Sequence, residues 1–384
     1  MVRRIRAGYG LRAVARQFGV NVSTVSLWVA RSAGQRLDRC SFADHKSGRA
    51  WNRSESDMER RILQTRAQLR EVSVLGEYGA DAIQRALHEE LPTGLVSRAT
   101  INRVLRRHGA TDAHTRVRRP APPKGWYLPE VAAGRAEVDC FDFIEDLKIA
   151  GGPLVNILTG KSLHGALTDA WVQAQLSAKG CVPCLLGRWQ RDGLPAYAQY
   201  DNDTVFQGAH QFPDAVGRIS RLSLALGVIP VFVPPLEHGM QNLIEGFNAL
   251  WQAKVWQRHH VGSAEELQAR SDAYIAAHRD RSRQAADTAP PRRPFLEHFE
   301  LNLHAPLRGQ IIFIRRTDDN GYVHLLGQRF AVSPEWLHRL VRCEVDFNHH
   351  CIRCFALRRR APTEQPLLAT LEYHRPNKPF KGEL

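Results

Sequence analysis

No apolar run in this 384-residue chain approaches the roughly eighteen residues that span a bilayer, and its N-terminus has no apolar segment of the signal-peptide kind. A cytoplasmic protein is expected, nucleoid-associated if its source is bacterial. Cysteine is sparse and odd in number, seven in all, which excludes a disulfide framework at this size. Two CxxC pairs, Cys181 with Cys184 and Cys351 with Cys354, lie far apart, one expected on a helix and one in a strand. Structural zinc takes four ligands at compact spacing, so buried structural thiols are the expectation, with His349-His350 beside Cys351 leaving a metal role open.

Acid is missing from the beginning of the chain: none precedes Asp38, against Arg3, Arg4, Arg6, Arg12, Arg16 and Arg31. Over the whole chain 53 Lys and Arg face 39 Asp and Glu, a net charge of +14. Such an excess points to an anionic partner, double-stranded DNA first, though a basic balance alone is also compatible with no such partner.

What is present divides the chain into segments. In residues 1–50, Val14, Ala15 and Phe18, a Gly19-Val20 corner, then Val25, Trp28 and Val29 describe two short helices packed across a tight turn. This is a helix-turn-helix pattern. Asn21 or Ser23 caps its second helix, which presents Ser23, Thr24 and Ser26 to a groove while Arg12, Arg16 and Arg31 meet phosphates. The opening helix is short, which places the expected true start upstream. Residues 32–54 read as a polar linker with Trp51 as an anchor. Residues 55–110 return to helical period and end in a basic helix capped by Ser97 and closed by Gly109. That makes a second, winged-helix-like helix-turn-helix with Arg98, Asn102, Arg103 and Arg106 facing DNA, or else a helical spacer with a solvated basic face. Residues 111–130 form a basic, Pro-rich tether, extended rather than packed.

The stretch from Tyr200 to Trp256 organises the remainder. Ala196-Tyr-Ala-Gln-Tyr200 reads as a buried strand ending in Asp201-Asn202-Asp203. After Gly239 the period changes, with Ile244, Phe247, Trp251 and Val255 on one helical stripe and Gln241, Glu245, Asn248 and Gln252 on an adjacent polar face. Upstream, Val138-Asp139-Cys-Phe-Asp142-Phe-Ile144 is a β-rich run that Asp139 interrupts. Asp139, Asp201 and Glu245 therefore form a candidate trio. Their hard oxygens suit Mg2+ or Mn2+, and two such ions serve phosphoryl transfer.

The arrangement resembles the Asp, Asp, Glu catalytic core of insertion-sequence transposases and retroviral integrases. The likeness rests on the strand with Asp139, on Asp201-Asn202 ending a strand, and on Gln241-Asn-Leu-Ile-Glu245-Gly-Phe-Asn248 after the Val233-Pro234-Pro235 turn, and spans about residues 131–285. It implies a ribonuclease H-like α/β core with a mixed five-stranded sheet. It also implies metal-dependent cleavage of DNA ends and strand transfer during transposition, with Asp139, Asp201 and Glu245 as metal ligands, on element ends and target DNA, by a homo-oligomer. Glu245 follows Asp201 by 44 positions (245 − 201), more than the family usual, whereas Glu237 follows by 36 (237 − 201). Glu245 is preferred because its helix fixes its direction, and a lengthened 207–226 segment absorbs the difference. The alternatives are a catalytically inactive, transposase-derived DNA-binding regulator and a nuclease that cuts without joining.

Beyond Pro290-Pro-Arg-Arg-Pro294 the chain is β-rich. Gln310-Ile-Ile-Phe-Ile-Arg315 and the short strands that follow it over residues 300–375 predict a small β-barrel, with Arg315, Arg316 and Arg358 to Arg360 available to phosphates. The expected fold class is multidomain: all-α helix-turn-helix units, an α/β core and a C-terminal barrel.

Overall fold

The computed structural model describes residues 1–38, 56–90, 96–111, 124–209, 212–234, 237, 239–359 and 361–376. Trp51, most of the basic tether, Pro235 and Arg360 lie outside them. Two compact units result, residues 1–59 and 60–384.

In the first unit, α1 (Val2–Arg6), α2 (Leu11–Phe18) and α3 (Val22–Arg31) bury Val14, Ala15 and Val25 together. The corner needs a left-handed residue after α2, and Gly19 supplies it at φ 61° without the Cβ penalty. Asn21 caps α3 by accepting from the Ser23 N–H, and Arg6 donates to the Ser32 and Gln35 carbonyls beyond the end of α3.

Most of α4 (Ser56–Val72) belongs to the second unit, followed by α5 (Ala80–Glu90) and α6 (Arg98–Arg107), and Ile62, Ile83, Ile101 and Val104 of these helices are fully buried. Ser97 caps α6. The chain resumes at 124 with Trp126, Tyr127 and Leu128 buried ahead of α7 (Pro129–Ala132), so the described part of the tether is packed.

Strands β1 (Val138–Lys148), β2 (Leu154–Ser162) and β3 (Thr168–Gln173) form the antiparallel meander. After α8 (Ala178–Asp192), β4 (Tyr197–Tyr200) pairs parallel with β1. After α9 (Thr204–Gln207) and α10 (Arg218–Ala225), β5 (Ile229–Phe232) pairs parallel with β4. Within the order β3-β2-β1-β4-β5 the first three strands are antiparallel and the last two run parallel to β1. Helix α11 (Asn242–Trp251), continued by a π-helical turn over Gln252–Trp256, then α12 (Ala264–Arg281) and α13 (Arg283–Asp287) follow.

The sheet does not stop at five strands, and the C-terminal strands do not close a barrel. Strand β6 (Gln310–Arg316) pairs parallel with β5. A separate hairpin, β7 (Tyr322–Leu325) with β8 (Gln328–Ala331), branches off. Strands β9 (Leu340–Asp346), β10 (Cys351–Ala356) and β11 (Leu367–Glu372) then extend the sheet to nine strands. The cause lies in β6 itself. Ile311 and Phe313 pack on one face of the sheet and Ile312 and Ile314 on the other, and an uninterrupted apolar strand belongs in a sheet's interior, covered on both sides. Helices α8 and α10 cover the first face; α11 and α12 cover the second.

Candidate active site

Side chains alternate across β1, so Asp139 and Asp142, three residues apart, point to opposite faces. Asp139 faces α8, where it is fully buried. It accepts from Arg188 Nε at 3.0 Å and Arg188 NH2 at 2.9 Å, from Trp189 Nε1 at 3.1 Å, and from Arg292 NH1 at 2.9 Å and NH2 at 2.7 Å. Burial alone raises such a carboxyl, but the Arg188 and Arg292 guanidinium groups override it and hold Asp139 well below the usual carboxylate range. Arg188 also pairs with Asp169, which in turn accepts from Arg191 and Arg279. Both Asp139 oxygens are thus taken, in a network that ties β1, β3, α8, α12 and the 290–294 segment together. The sequence expectation made Asp139 a metal ligand; here its carboxylate is engaged by Arg188, Trp189 and Arg292.

Asp142 lies on the opposite, α11 face. The parallel register pairs Asp139 with Ala198 and Cys140 with Gln199, and Asp142 lies near enough to Asp201, just past β4, for their charges to interact. From α11, Asn248 Nδ2 donates to Asp142 Oδ2 at 2.9 Å, while Asn248 Oδ1 accepts from Thr159 Oγ1 of β2 at 2.7 Å. Glu245 stands three residues before Asn248 on the same side of that helix. On β4, buried Gln199 donates to the Met240 carbonyl at 3.0 Å, fixing the start of α11 to the strand that ends in Asp201.

The electrostatics follow this placement. Burial pushes the Asp142 carboxyl up to about 7; the Phe143 N–H opposes that, and the charges of Asp201, Glu245 and Glu145 add to it. Burial also raises Asp201, against the Asp203 N–H that donates to its Oδ1 at 3.0 Å. Glu237, the competing glutamate, instead forms an ion pair with Arg316 of β6.

Half-exposed carboxylates whose strongest charged neighbours are other carboxylates fit a divalent cation in donor chemistry. Among the described residues no three His, Cys, Asp or Glu side chains stand close enough to hold one as they lie. Glu245 is exposed on α11, and its charge is one of those that raise Asp142.

The predicted DNA-contacting residues sit on helical surfaces. Arg12, Arg16, Ser23, Ser26 and Arg31 are exposed on α2 and α3, Thr24 is half-buried, and Arg31 covers the Trp28 ring at 5.1 Å. On α6, Arg98, Asn102, Arg103 and Arg106 are exposed; Arg98 pairs with Asp81 at 3.0 Å and Arg103 donates to Thr100. The two CxxC pairs lie on α8 and β10. Burial pushes Cys181 up to about 12 and Cys184 up to about 11, and Cys354 lies 3.5 Å from Cys343 on the neighbouring strand.

No family model matches the chain, and no curated protein matches it. Among solved structures it is similar to the catalytic core domain of BIV integrase, with 17% identity over 36% of this chain and 81% of that one and a TM-score of 0.28. It is also similar to the simian T-cell lymphotropic virus intasome in complex with the PP2A regulatory subunit B56 gamma, with 11% identity over 68% of this chain and 87% of that one and a TM-score of 0.34.

Proposed function

We propose that this chain is a metal-dependent DNA-cleaving and DNA-joining enzyme of the transposase and integrase kind, with Asp142, Asp201 and Glu245 as its metal-binding carboxylates. The observation that carries the proposal is the mutual charge interaction of Asp142 on β1 with Asp201 at the end of β4 and with Glu245 of α11. Mg2+ or Mn2+ bound there would lower the pKa of an attacking water or DNA 3′-hydroxyl and neutralise the departing 3′-oxygen.

The chain's own residues do the positioning. Asn248 and Thr159 hold Asp142 in one orientation, Gln199 sets the height of α11 against β4, and Asp203 fixes one oxygen of Asp201. Arg12, Arg16 and Arg31 of the first unit and Arg103 and Arg106 of α6 would neutralise phosphates of the DNA ends, with Ser23, Thr24, Ser26 and Asn102 turned toward base edges. No Ser or Tyr nucleophile and no covalent enzyme intermediate is needed, so hydrolysis and strand transfer can share one site. Assembly as a homo-oligomer would bring two DNA ends together.

The test is incubation of the full-length protein with the DNA flanking its own gene and Mg2+ or Mn2+, scoring nicked and joined products. Nicking with joining supports the proposal. Sequence-specific binding with neither product contradicts it and favours a DNA-binding regulator; nicking alone favours a nuclease.

A further inference from the structure

Arg315, the last residue but one of β6, lies in a setting where a cation is costly. Its side chain is buried, and its hydrogen bonds among the described residues go to carbonyl and amide oxygens rather than to a carboxylate. Burial accordingly pulls its pKa down to about 10. NH1 reaches the Phe232 and Val233 carbonyls at the end of β5, at 3.4 and 3.3 Å. NH2 donates to Asn202 Oδ1 at 2.8 Å, and Asn202 Nδ2 donates to the Val233 carbonyl at 2.6 Å. Asn202 directly follows Asp201. The next residue of β6, Arg316, pairs with Glu237 in the connection between β5 and α11 and donates to the His338 carbonyl at 2.6 Å. Two consecutive arginines therefore grip the two loops at the carboxyl ends of β4 and β5, where an open parallel sheet presents its ligand site. The planar Arg315 guanidinium serves the Asn202, Phe232, Val233, Ile314 and His324 acceptors at once, which an ammonium group cannot do.

We infer that β6 is a clasp for the catalytic loops, with Arg315 acting through Asn202 as the positioning residue for Asp201. This rests on the active-site reading above. The C-terminal segment on this view is part of the catalytic apparatus rather than an appended binding module.

The experiment uses full-length protein and two readouts: the rise in melting temperature with added Mg2+ alone, and cleavage of the DNA ends. In Arg315→Gln and in Asn202→Ala, half-saturation by Mg2+ should move up about tenfold or more, the usual scale for residues that orient metal ligands. The double variant should be no worse than either single one, because both remove the same link. Arg315→Lys should stay impaired, and Arg329→Gln, on the β8 hairpin, should behave as the wild type. If Arg315→Gln fails to fold, Asn202→Ala, which keeps the guanidinium, decides alone. A wild-type Mg2+ response that these variants leave unchanged, or single effects that multiply in the double variant, overturns the clasp and leaves the active-site reading standing. A wild-type protein with no Mg2+ response overturns both, whereas a Mg2+ response without cleavage contradicts the DNA-processing reading only.

Discussion

Asn248 donates from Nδ2 to Asp142 Oδ2 at 2.9 Å, and that one hydrogen bond joins the helix carrying Glu245 to the strand carrying the carboxylate beside Asp201. The same amide accepts from Thr159 at 2.7 Å, so its orientation is determined from both sides. Asn248 is buried, and replacing it removes its bonds to Asp142 and Thr159, leaving the Thr159 hydroxyl the Asp142 carbonyl at 3.0 Å as its acceptor. Asn248→Leu should cost about 1–3 kcal/mol of stability, measured by denaturant unfolding. It should lower the cleavage rate at saturating DNA by more than tenfold while DNA affinity stays the same, on the scale of about 10–100-fold known for ligand-orienting residues.

The raised Asp142 and Asp201 carboxyls set a pH dependence with a definite sign. A carboxyl whose folded pKa lies above its unfolded value of about 4 contributes most to stability below that value, and the contribution is lost as pH rises through the folded pKa. For Asp142 the window runs up to about 7. Metal-free protein should therefore lose stability from this site as pH rises from about 4 to about 7, the two ends of that window. Mg2+ competes with the proton for the same oxygens, so its stabilising effect should be larger at pH 8 than at pH 6. Melting curves with and without Mg2+ check both statements, and Asp142→Asn should flatten the difference.

Much of this arrangement was legible in the sequence. The α2–α3 corner followed from Val14, Ala15, Gly19 and Val25, and the meander and Asp201 strand from their apolar runs and turns. Strand parity separates the two aspartates of β1. In Val138-Asp139-Cys140-Phe141-Asp142, Asp142 shares a face with Val138 and Cys140, which pack with Ile244 and Phe247 of α11, and Asp139 does not. What no local pattern carries is the origin of the partners that neutralise Asp139, since Arg292 comes from 153 positions away. The sheet extension was visible in Ile311-Ile-Phe-Ile314, whose lack of alternation marks a strand covered on both faces rather than a barrel stave with one wet side.

Because β6 lies against β5 and both of its faces are buried, the C-terminal segment should not be detachable. Protein ending at residue 299 would expose the open edge of β5 and the apolar surface that β6, β9 and β10 cover. It should aggregate or unfold, judged by gel filtration and circular dichroism. A soluble, monodisperse 1–299 fragment would mean that the nine-stranded sheet is not one cooperative structure.

The first unit should be separable. Deleting residues 1–55 should leave the rest folded, with selectivity for the DNA ends reduced and the residual affinity falling steeply with salt, as phosphate contacts release counterions. Deleting residues 1–112 goes further. It removes the carbonyls of Arg70, Glu71, Ser73 and Gly76 that accept from Arg258 and Lys254, and should lower the melting temperature of what remains.

The measurement that bears most directly on the active-site assignment is a paired comparison of Asp139→Asn and Asp142→Asn, in unfolding and in Mg2+-dependent cleavage. Asp139→Asn leaves Arg188 buried with a partner removed and should cost about 3–5 kcal/mol, with cleavage per folded molecule retained. Asp142→Asn removes a carboxylate that its neighbours repel, so it should fold at least as stably at pH 8, fail to respond to Mg2+ and give no cleavage. The reverse pattern, with Asp142→Asn still cleaving and Asp139→Asn stable but inactive, would return the metal site to Asp139 and contradict the account.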